Sequence, residues 1–342
     1  TPRISGLKTG TQNLRPRKRG AIAAIAGVRG VLGGRLVTNE EIAELCPTWS
    51  PEDIVKRTGI RERRWIAEGE TALTLAVDAA SALFAQTGVG IADIDLLICS
   101  TETPMMNTPS MANLIQYALN EKFGADCDCP SYDINAACSG YVYGLQIAHD
   151  YLAQKPDHRV LLCTADVLSD RLDTSDPATA PVFGDGATAT LIVGAANMES
   201  GLFEVKRPAL SSKGEDGTLL RIPADPALPV FMEGPEVFRK AVSAMADILR
   251  DACREADTDP ADLDLIVPHQ ANQRIIDAVR QRMKADPEKV YSIIGEMGNT
   301  SSSTIPFCLE RVFATMDEVS LIGLTAFGGG FTFAGGVLKR LG

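Results

Sequence analysis

A cysteine lies where a short predicted strand passes into a predicted helix, in the segment DINAACSGYVYGL at residues 133–145. Cys138 in this place is compatible with simple packing, because a free cysteine behaves as a small buried hydrophobe. It is also compatible with catalysis, because the amides of a helix N-terminus stabilise a thiolate and lower the thiol pKa. The second interpretation predicts a nucleophile that attacks a thioester without the help of a strong base.

Two residues that could act on a bound substrate follow predicted strands in the second half of the chain. His269 lies in IVPHQANQRII at 266–276, and Asn299 lies in GNTSSSTIP at 298–306. Each alone has a structural interpretation, since asparagine, for example, commonly forms turns. Together, an imidazole N–H and a carboxamide N–H are neutral donors that can stabilise negative charge on one oxygen. Loops that follow strands gather at one edge of an α/β sheet, so we expect both side chains near Cys138.

Three more segments accompany these residues: KRTGIRERRW at 56–65, VFGDGATAT at 182–190 and AFGGGFTFAGG at 326–336. The FGDG stretch lacks the lysine and the spacing of a phosphate-binding loop, so we interpret it as structural. In combination with the cysteine, histidine and asparagine segments, the three resemble the β-ketoacyl-acyl carrier protein synthase III family of thiolase-like condensing enzymes. The resemblance covers nearly the whole chain, from about residue 19 onwards.

The resemblance implies a catalytic set. Cys138 would accept an acyl group from a thioester primer. His269 and Asn299 would hold the enolate oxygen that forms when a malonyl-type carrier-protein thioester loses carbon dioxide. Gly329 would complete an oxyanion hole with the Cys138 amide, because a side chain there would block close approach of the backbone. The implied reaction is a decarboxylating Claisen condensation, which gives a β-ketoacyl product in fatty acid or related biosynthesis.

The resemblance also assigns residues that would bind the substrate. Phe183 and Phe327 would line the acyl pocket, and Thr108 would cross the interface of a homodimer to the far end of the partner's acyl tunnel. The approach for the pantetheine arm would be lined by Arg57, Gly234 and Asn272.

Thr108 departs from the family pattern in two informative ways. Short-chain relatives often carry Phe at this position, so the smaller Thr implies a deeper tunnel. Relatives that join two fatty chains without decarboxylation carry Glu there as a base, and Thr cannot take that role. Glu102 lies six residues earlier and is out of register, so we do not expect it to act as a base. The sequence therefore favours decarboxylative chemistry.

Two other departures concern coenzyme A. Relatives that take coenzyme A primers carry an adenine-stacking Trp before R-T-G-I-R, where this chain has Asp53. A second adenine-facing residue, an Arg in the family, aligns with Asp170, although a shift of one residue would place Arg171 there. Acids at these places favour acyl carrier protein donors over coenzyme A donors. A local basic patch would suit an acidic carrier protein, and its predicted members are Arg239, Lys240 and Arg274.

Composition limits the other possibilities. The 342-residue chain is 45% hydrophobic and 23% charged, which is typical of a soluble globular protein. Its net charge of −11 disfavours general nucleic-acid binding, and no apolar run reaches the length of a membrane span. Eight scattered cysteines indicate a reducing, cytoplasmic setting. With only three histidines, we expect no metal site, and we expect no cofactor beyond coenzyme A or phosphopantetheine thioesters as substrates.

The elements that must position these residues follow an α/β pattern, with short apolar runs alternating with helical periodicity. ADIDLLI at 92–98 nearly repeats as ADLDLIV at 261–267, which favours duplication of one unit. The family resemblance then implies a thiolase-like duplicated α-β-α-β-α layered fold. We expect a half at 19–195 with the nucleophilic cysteine and a half at 196–342 with the histidine and asparagine. A polar, proline-rich loop is expected at 211–229.

Residues 1–18 are basic and polar and lack the apolar stretch of a secretory signal. We interpret them as a basic N-terminal extension outside this fold.

Alternative functions fit parts of the pattern. A polyketide-type member of the same family would condense or transfer acyl groups between carrier proteins. A non-catalytic partner protein would be marked by loss of the cysteine, histidine or asparagine, and all three are present. A cysteine hydrolase would need a histidine base beside the thiol and a third group to orient it.

Overall fold

The computed structural model describes residues 20–342, so the predicted extension at residues 1–18 lies outside the described part of the chain. The strands are β1 (Ala23–Leu32), β2 (Arg35–Thr38), β3 (Glu62–Trp65), β4 (Leu96–Ser100), β5 (Ser131–Ile134), β6 (Arg159–Asp166), β7 (Gly186–Gly194), β8 (Phe203–Val205), β9 (Ala209–Ser212), β10 (Leu220–Arg221), β11 (Phe231–Met232), β12 (Leu265–Pro268), β13 (Leu321–Gly328) and β14 (Thr332–Arg340). The α-helices are α1 (Asn39–Leu45), α2 (Pro51–Thr58), α3 (Ala72–Thr87), α4 (Met111–Phe123), α5 (Gly140–Leu152), α6 (Gly234–Glu255), α7 (Gln273–Met283), α8 (Ile294–Met297) and α9 (Thr304–Thr315).

One large mixed sheet runs through the structure. Its strand order is β12-β13-β14-β8-β1-β7-β6-β4-β5, with β9 paired to β14. The pairs β4–β5, β4–β6 and β12–β13 are parallel, and the other neighbours are antiparallel. Two small ladders, β2–β3 and β10–β11, lie outside this sheet. In this strand order, β5 and β12 are the two edge strands of the large sheet.

The two parts of the large sheet have the same pairing order. β4–β6–β7–β1 and β12–β13–β14–β8 each contain one parallel pair followed by two antiparallel pairs. The near-identical segments of the sequence repeat form β4 and β12, at equivalent places. The two parts meet where β1 pairs with β8, at Ala24↔Glu204 and Ile25↔Phe203. This symmetry supports duplication, and the boundary between residues 195 and 196 stays a prediction.

Helices cover the sheet in layers. Apolar residues of α3 and α4 pack on one face of the first part, and those of α6 and α7 pack on the far face of the second. Between the two parts lie α5 and α9, whose apolar residues share one core with strands from both. Strand β4 is buried on both faces, which explains its unbroken apolar run LLIC. The predicted α-β-α-β-α order is thus the observed order.

The central helices begin at the residues expected to be catalytic. Helix α5 begins at Gly140, directly after a single 3₁₀ turn at Ala137–Ser139, and α9 begins at Thr304 after a similar turn at Ser301–Ser303. A side chain at Gly140 would overlap the hydroxyl of Ser100 at the end of β4. The absence of a side chain therefore lets the cysteine turn lie directly against the sheet.

Within residues 20–342, no helix has both the length and the apolar character needed to cross a bilayer. The same residues contain no cluster of three or more His, Cys, Asp or Glu side chains arranged to hold a metal ion.

Candidate active site

A cavity of about 380 Å³ lies at the N-terminal ends of α5, α6 and α7. Pockets of this size are typical of small-molecule sites in enzymes. Its wall contains the following residues predicted from the sequence: Cys138, Phe183, Gly234, His269, Asn272, Asn299, Phe327 and Gly329. The structure therefore brings together residues that are far apart in the chain, such as Cys138 and Gly329, which are 329 − 138 = 191 positions apart.

Cys138 is held in a constrained turn. The preceding Ala137 has a left-handed φ of 47°, which non-glycine residues rarely adopt. The Ser139 amide donates to the Ala136 carbonyl at 3.1 Å, and the Thr332 hydroxyl donates to the same carbonyl at 2.8 Å. Such strain persists only where the surroundings impose it, and it is common at functional sites. Strand β14, which carries Thr332, thus supports the turn from the other half of the sheet.

The expected acidic thiol is not what the structure contains. Cys138 is 6% exposed, and burial raises the pKa of its thiol well above the ordinary value. The nearby charge of Glu102 raises this pKa further, while a hydrogen bond with Ser301 lowers it in part. Desolvation of a thiolate in this cavity outweighs any stabilisation by the amides of α5. The thiol therefore needs a proton acceptor when it attacks.

His269 is a neutral imidazole at the end of β12. Its backbone amide donates to the Thr325 carbonyl on β13 at 2.7 Å, and burial lowers the pKa of the ring to about 3. Nδ1 lies 2.6 Å from the hydroxyl oxygen of Thr304. The same hydroxyl lies 3.1 Å from the Ser301 carbonyl, and its single proton serves one of these two acceptors. When Thr304 gives the proton to the nearer Nδ1, the ring proton resides on Nε2, and the neutral imidazole then offers the cavity a donor.

Asn299 is oriented by its neighbours on both sides. Its amide donates to the Val182 carbonyl at 2.9 Å, and its carbonyl accepts from Gly184 at 3.0 Å. Its side-chain Oδ1 accepts from the Ser301 amide at 2.9 Å. Because Oδ1 is engaged, the Nδ2 donors are the free end of this carboxamide.

The FGDG segment acts structurally, as expected from its sequence. A side chain at Gly184 would meet the carbonyl of Met297, so glycine allows the segment to pair with the asparagine loop. The buried Asp185 carboxylate accepts from the Ile66 amide at 2.8 Å and from the Ser169 amide at 2.9 Å. Neighbouring Phe183 lines the cavity. The segment therefore joins three parts of the first half beside Asn299.

The glycine turn that follows β13 contacts the nucleophile through Gly328. A Cβ atom at Gly328 would lie 2.8 Å from the backbone nitrogen of Cys138. Gly329 lines the cavity, but the backbone atom that a Cβ there would crowd, at 2.9 Å, is the carbonyl of Leu220. The sequence argument for close backbone approach therefore applies to both glycines, with Gly328 the one against Cys138.

Comparison with known proteins identifies the family. Residues 132–210 match the family described as 3-oxoacyl-[acyl-carrier-protein] synthase III, and residues 253–340 match its C-terminal region. A β-ketoacyl-[acyl-carrier-protein] synthase III of Xylella fastidiosa is 36% identical over 328 residues, which are 93% of this chain and 98% of the relative. The chain belongs to the β-ketoacyl-acyl carrier protein synthase III family.

Solved synthase III structures have the same fold. That of 3-oxoacyl-[acyl-carrier-protein] synthase III from Aquifex aeolicus has a TM-score of 0.85 and 33% identity, covering 93% of this chain and all of its own. The priming β-ketosynthase of the R1128 polyketide pathway has a TM-score of 0.83 and 29% identity, covering 94% of this chain and 97% of its own. The predicted family and the thiolase-like α/β fold class are confirmed.

Some predicted residues of this synthase III chain lie outside the cavity wall. Thr108 is exposed. Arg57 is also exposed, and its guanidinium lies 4.9 Å from the ring centroid of Trp49. Arg171 donates to the carbonyls of the 223–228 loop, the shortest distance being 2.6 Å to Pro223. Arg171 therefore holds a loop, which leaves the exposed Asp170 as the residue facing solvent at this position.

The predicted docking residues differ from one another. Arg239 is exposed and pairs with Glu236 on the same helix, α6. Arg274 is exposed on α7, with its guanidinium 5.7 Å from the ring of Phe238, which lines the cavity. Lys240 instead donates at 2.7 Å to both carboxylate oxygens of Asp216. Arg239 and Arg274 are thus exposed to solvent, whereas Lys240 is half-buried in its ion pair with Asp216.

Sequence analysis missed four polar residues of the cavity, Glu102, Asn135, Arg221 and Thr332, and most of its apolar wall. Glu102 lines the cavity beside Cys138, although it is out of register with the family's base position. Its place two residues after β4 was the available signal, because polar groups at strand ends gather at α/β active sites. The missed apolar wall consists of Ala137, Leu168, Val182, Leu220, Ile222, Val230, Met232, Val237, Phe238, Ala271 and Ile275. Several of these come from the 211–229 loop and its flanks, which we expected only as an excursion.

Proposed function

We propose that this chain catalyses the decarboxylating condensation of an acyl thioester primer with a malonyl-type carrier-protein thioester, giving a β-ketoacyl product. The observation that carries the proposal is the convergence of Cys138, His269 and Asn299 on one cavity, with each side chain at most 6% exposed. A nucleophile and two neutral donors are the groups that acyl transfer and enolate stabilisation require.

In the first step, the sulfur of Cys138 attacks the primer carbonyl. The negative charge on the carbonyl oxygen is stabilised by the backbone amides of Cys138 and Gly329, which act as the oxyanion hole. The intermediate collapses by breaking the bond from the carbonyl carbon to the donor sulfur. The acyl group is left on Cys138, and the donor leaves as a free thiol.

In the second step, the carbonyl of the malonyl thioester accepts hydrogen bonds from Nε2 of His269 and Nδ2 of Asn299. Loss of carbon dioxide moves an electron pair onto that oxygen, and both donors hold the enolate charge. A neutral imidazole suits this role, and burial keeps His269 neutral at physiological pH. The enolate carbon then attacks the acyl-Cys138 carbonyl, which releases the product and the thiolate.

An acyl carrier protein is the proposed donor of the malonyl group. Arg239 and Arg274 are exposed near the N-terminal end of α6, which lies at the cavity. Arg221 lines the cavity itself. Cations around an entrance attract an acidic carrier protein and direct its pantetheine arm inward, past Gly234 and Asn272. The acids Asp53 and Asp170 make coenzyme A the weaker donor.

A second copy of this chain is the proposed structural partner. Edge strand β5 leaves backbone groups free to pair, and exposed apolar side chains flank it at Met105, Met106, Tyr117 and Tyr132. Two such edges related by a twofold axis would continue one sheet into the next. Thr108 lies in the loop beside this face, which supports its predicted position at the end of the partner's acyl tunnel.

A cytoplasmic location is proposed on the same footing. All eight cysteines are free thiols, which is typical of a reducing compartment. The proposed chemistry uses only side chains, backbone amides and the two thioester substrates.

A priming step in polyketide biosynthesis is the second candidate. It is favoured by the likeness to the R1128 priming β-ketosynthase, which matches over 94% of this chain. Both candidates use the same residues and differ in the primer that Cys138 accepts.

Intact-protein mass spectrometry tests the proposal. The enzyme is incubated with acetyl, octanoyl and dodecanoyl donors, each offered on acyl carrier protein and on coenzyme A. We expect a stable acyl adduct on the wild type, faster from carrier protein, and none at the active site of Cys138→Ala. Steady release of free acid without a stable adduct would instead indicate a cysteine hydrolase. An adduct retained by Cys138→Ala would contradict the assigned nucleophile.

A further inference from the structure

A chain of three side chains leads from the nucleophile to a carboxylate. The Ser301 hydroxyl lies 3.6 Å from the sulfur of Cys138 and is hydrogen-bonded to Oε1 of Glu102. Both Cys138 and Glu102 line the cavity. The hydroxyl therefore bridges the reacting sulfur and an ionisable group.

The direction of these hydrogen bonds follows from the proton count. A serine hydroxyl has one proton, and its closer contact is with the carboxylate. With Glu102 ionised, Ser301 donates to Glu102 and accepts from the Cys138 thiol. With Glu102 protonated, the carboxylic acid donates to Ser301, and Ser301 donates to the sulfur. The same three groups can thus carry a proton in either direction.

One buried carboxylate binds Glu102 and the residue next to Ser301. Asp166, at the end of β6, accepts from the amide of Glu102 at 2.8 Å and from the hydroxyl of Ser302 at 2.9 Å. Ser301 itself has a left-handed φ of 53°, and its amide is bound by the Asn299 side chain. The backbone amides of Glu102 and Ser301 are therefore each held by a side chain, Asp166 for Glu102 and Asn299 for Ser301.

We propose that Glu102, acting through Ser301, accepts the thiol proton of Cys138 during acyl transfer and returns a proton to the sulfur after condensation. The proposal rests on the proposed function, because it takes Cys138 to be the acyl acceptor. Glu102 acts through another residue, so it is a positioning and proton-relay residue rather than one that touches substrate.

Each step balances. In acyl transfer, the sulfur–carbon bond forms as the S–H proton passes to Ser301 and the Ser301 proton passes to Glu102. The bond from the carbonyl to the donor sulfur then breaks, and the proton passes back from Glu102 through Ser301 to the departing thiolate. In condensation, the Cys138 thiolate leaves, and one proton from water reaches it through Glu102 and Ser301. The net reaction consumes that proton as carbon dioxide leaves.

The electrostatic surroundings suit a base that works near neutral pH. Burial raises the pKa of Glu102 to about 8, and the charge of Asp166 contributes to the rise. The titratable groups that face Glu102 are Asp166 on β6 and Cys138 in the turn before α5. A base is most effective when its pKa lies near the working pH.

A purely electrostatic role for Glu102 predicts the opposite sign of effect. As an isolated negative charge, Glu102 opposes formation of the thiolate, so its removal would speed the reaction of Cys138. As a relay base, its removal would slow acylation, by about 10²-fold or more on the usual scale of general base catalysis. The sign of the change in rate therefore decides between the two roles.

The test measures single-turnover acylation of Cys138 by octanoyl-N-acetylcysteamine, a small thioester that does not depend on carrier-protein docking. Rates are taken by quenched-flow mass spectrometry from about pH 6 to about pH 9.5, a range that brackets the relay pKa. The variants are Glu102→Gln, Ser301→Ala and their double. The matched control is Glu310→Gln, because Glu310 is a half-buried carboxylate paired with Arg29 away from the cavity.

For the wild type, we expect the rate to rise with pH and level off near pH 8. Both single variants should be slower at neutral pH by about 10²-fold and should lose this levelling, and the double variant should be no slower than the slower single. Glu310→Gln should match the wild type. Ser301→Ala leaves the carboxylate in place, so it carries the test if Glu102→Gln does not fold.

Acylation of Glu102→Gln or Ser301→Ala at or above the wild-type rate, with an unchanged pH profile, would overturn the relay and leave the proposed function standing. A wild type that forms no adduct with any thioester would overturn the proposed function itself.

Discussion

The side-chain carbonyl of Asn299 is occupied by the Ser301 amide, and Nδ1 of His269 is occupied by the Thr304 hydroxyl. The contact with Ser301 leaves Nδ2 of Asn299 as the free donor. Nε2 of His269 is a donor in the tautomer in which Thr304 gives its proton to Nδ1, at 2.6 Å, and not to the Ser301 carbonyl, at 3.1 Å. Ser301 and Thr304 lie in the same short stretch that leads into α9. A single segment of chain therefore contacts both residues that we propose to hold the enolate.

Replacing either donor should separate the two half-reactions. His269→Ala and Asn299→Ala should still form acyl-Cys138, because neither residue is needed for attack on the primer. Each should lose about 10²–10³ in the rate of decarboxylation, the cost of removing one oxyanion donor. The measurement is carbon dioxide release from labelled malonyl thioester by pre-acylated enzyme. Unchanged release in either variant would remove that residue from the enolate site.

The sequence was sufficient to place Cys138, His269 and Asn299 in one site, because each stands at the junction of a recognisable strand and loop. It was not sufficient for the proton chemistry. The thiol pKa depends on burial by residues from distant segments, and burial reversed the expected direction. The six-residue offset of Glu102 from Thr108 along the chain does not reveal that the fold brings Glu102 to the wall of the cavity.

At the scale of elements, the glycine turn between β13 and β14 packs against the backbone nitrogen of Cys138. Gly328→Ala would place a Cβ about 2.8 Å from the Cys138 nitrogen, so the amide must move. We expect acylation to slow by about 10²-fold, the scale for one displaced oxyanion donor. Gly336→Ala on β14 is the control, because its Cβ would have no neighbour closer than 3.6 Å.

Acylation rates and melting temperatures of both glycine variants give the comparison. A Gly328→Ala protein that folds and is acylated at the wild-type rate would show that this turn does not set the position of the Cys138 amide.

Helices α6 and α7 carry the proposed docking surface. Arg239→Glu and Arg274→Glu should raise KM for malonyl-acyl carrier protein several-fold with kcat unchanged, and more at low salt, since exposed charges are screened. Arg254→Glu is the control on α6, because Arg254 is equally exposed but lies in the last turn, away from the cavity. Equal KM values for all variants would place the carrier protein elsewhere.

Elements with a clear apolar pattern, such as α3, β4 and α6, could be predicted from the sequence because burial on defined faces fixes their periodicity. The short strands β10 and β11 could not, because two residues carry no periodicity. Their pairing brings apolar residues of a polar loop over the cavity, and this depends on contacts that the local sequence does not encode.

For the whole molecule, the partly buried Glu102 makes the free energy of unfolding depend on pH. Its pKa rises from 4.5 to about 8 on folding, because the folded protein favours the protonated carboxyl. The stability that this carboxyl contributes is therefore full below pH 4.5 and is lost as the pH rises through 8. The Glu102→Gln side chain cannot ionise, so above pH 8 this variant should melt at a higher temperature than the wild type. Its free energy of unfolding should be greater by up to about a few kcal/mol. Melting curves at about pH 5 should show a much smaller difference. A constant difference across this range would mean that Glu102 titrates normally.

Chain-length preference is expected to depend on the dimer. The wild type should accept medium and long acyl groups, and Thr108→Phe should shift preference toward acetyl, because each buried CH₂ displaced is worth about 0.8 kcal/mol. Added bulk can itself cost about 1–3 kcal/mol, so dimer mass and melting temperature are checked first. Acylation rates with acetyl, octanoyl and dodecanoyl donors then decide. A folded, dimeric Phe variant with an unchanged profile would remove Thr108 from the acyl tunnel.

Strand β14 is the last of the described elements along the chain and so the last to be translated, yet it lies inside the sheet, between β13 and β8. Its Thr332 hydroxyl also binds the carbonyl of Ala136 beside the nucleophile. A ribosome produces the chain from the N-terminus, so Cys138 is translated long before the strand that supports its turn. A nascent chain therefore carries the thiol without the finished site around it. Acyl-transfer competence arises only once synthesis has passed β14 and that strand has been inserted into the sheet.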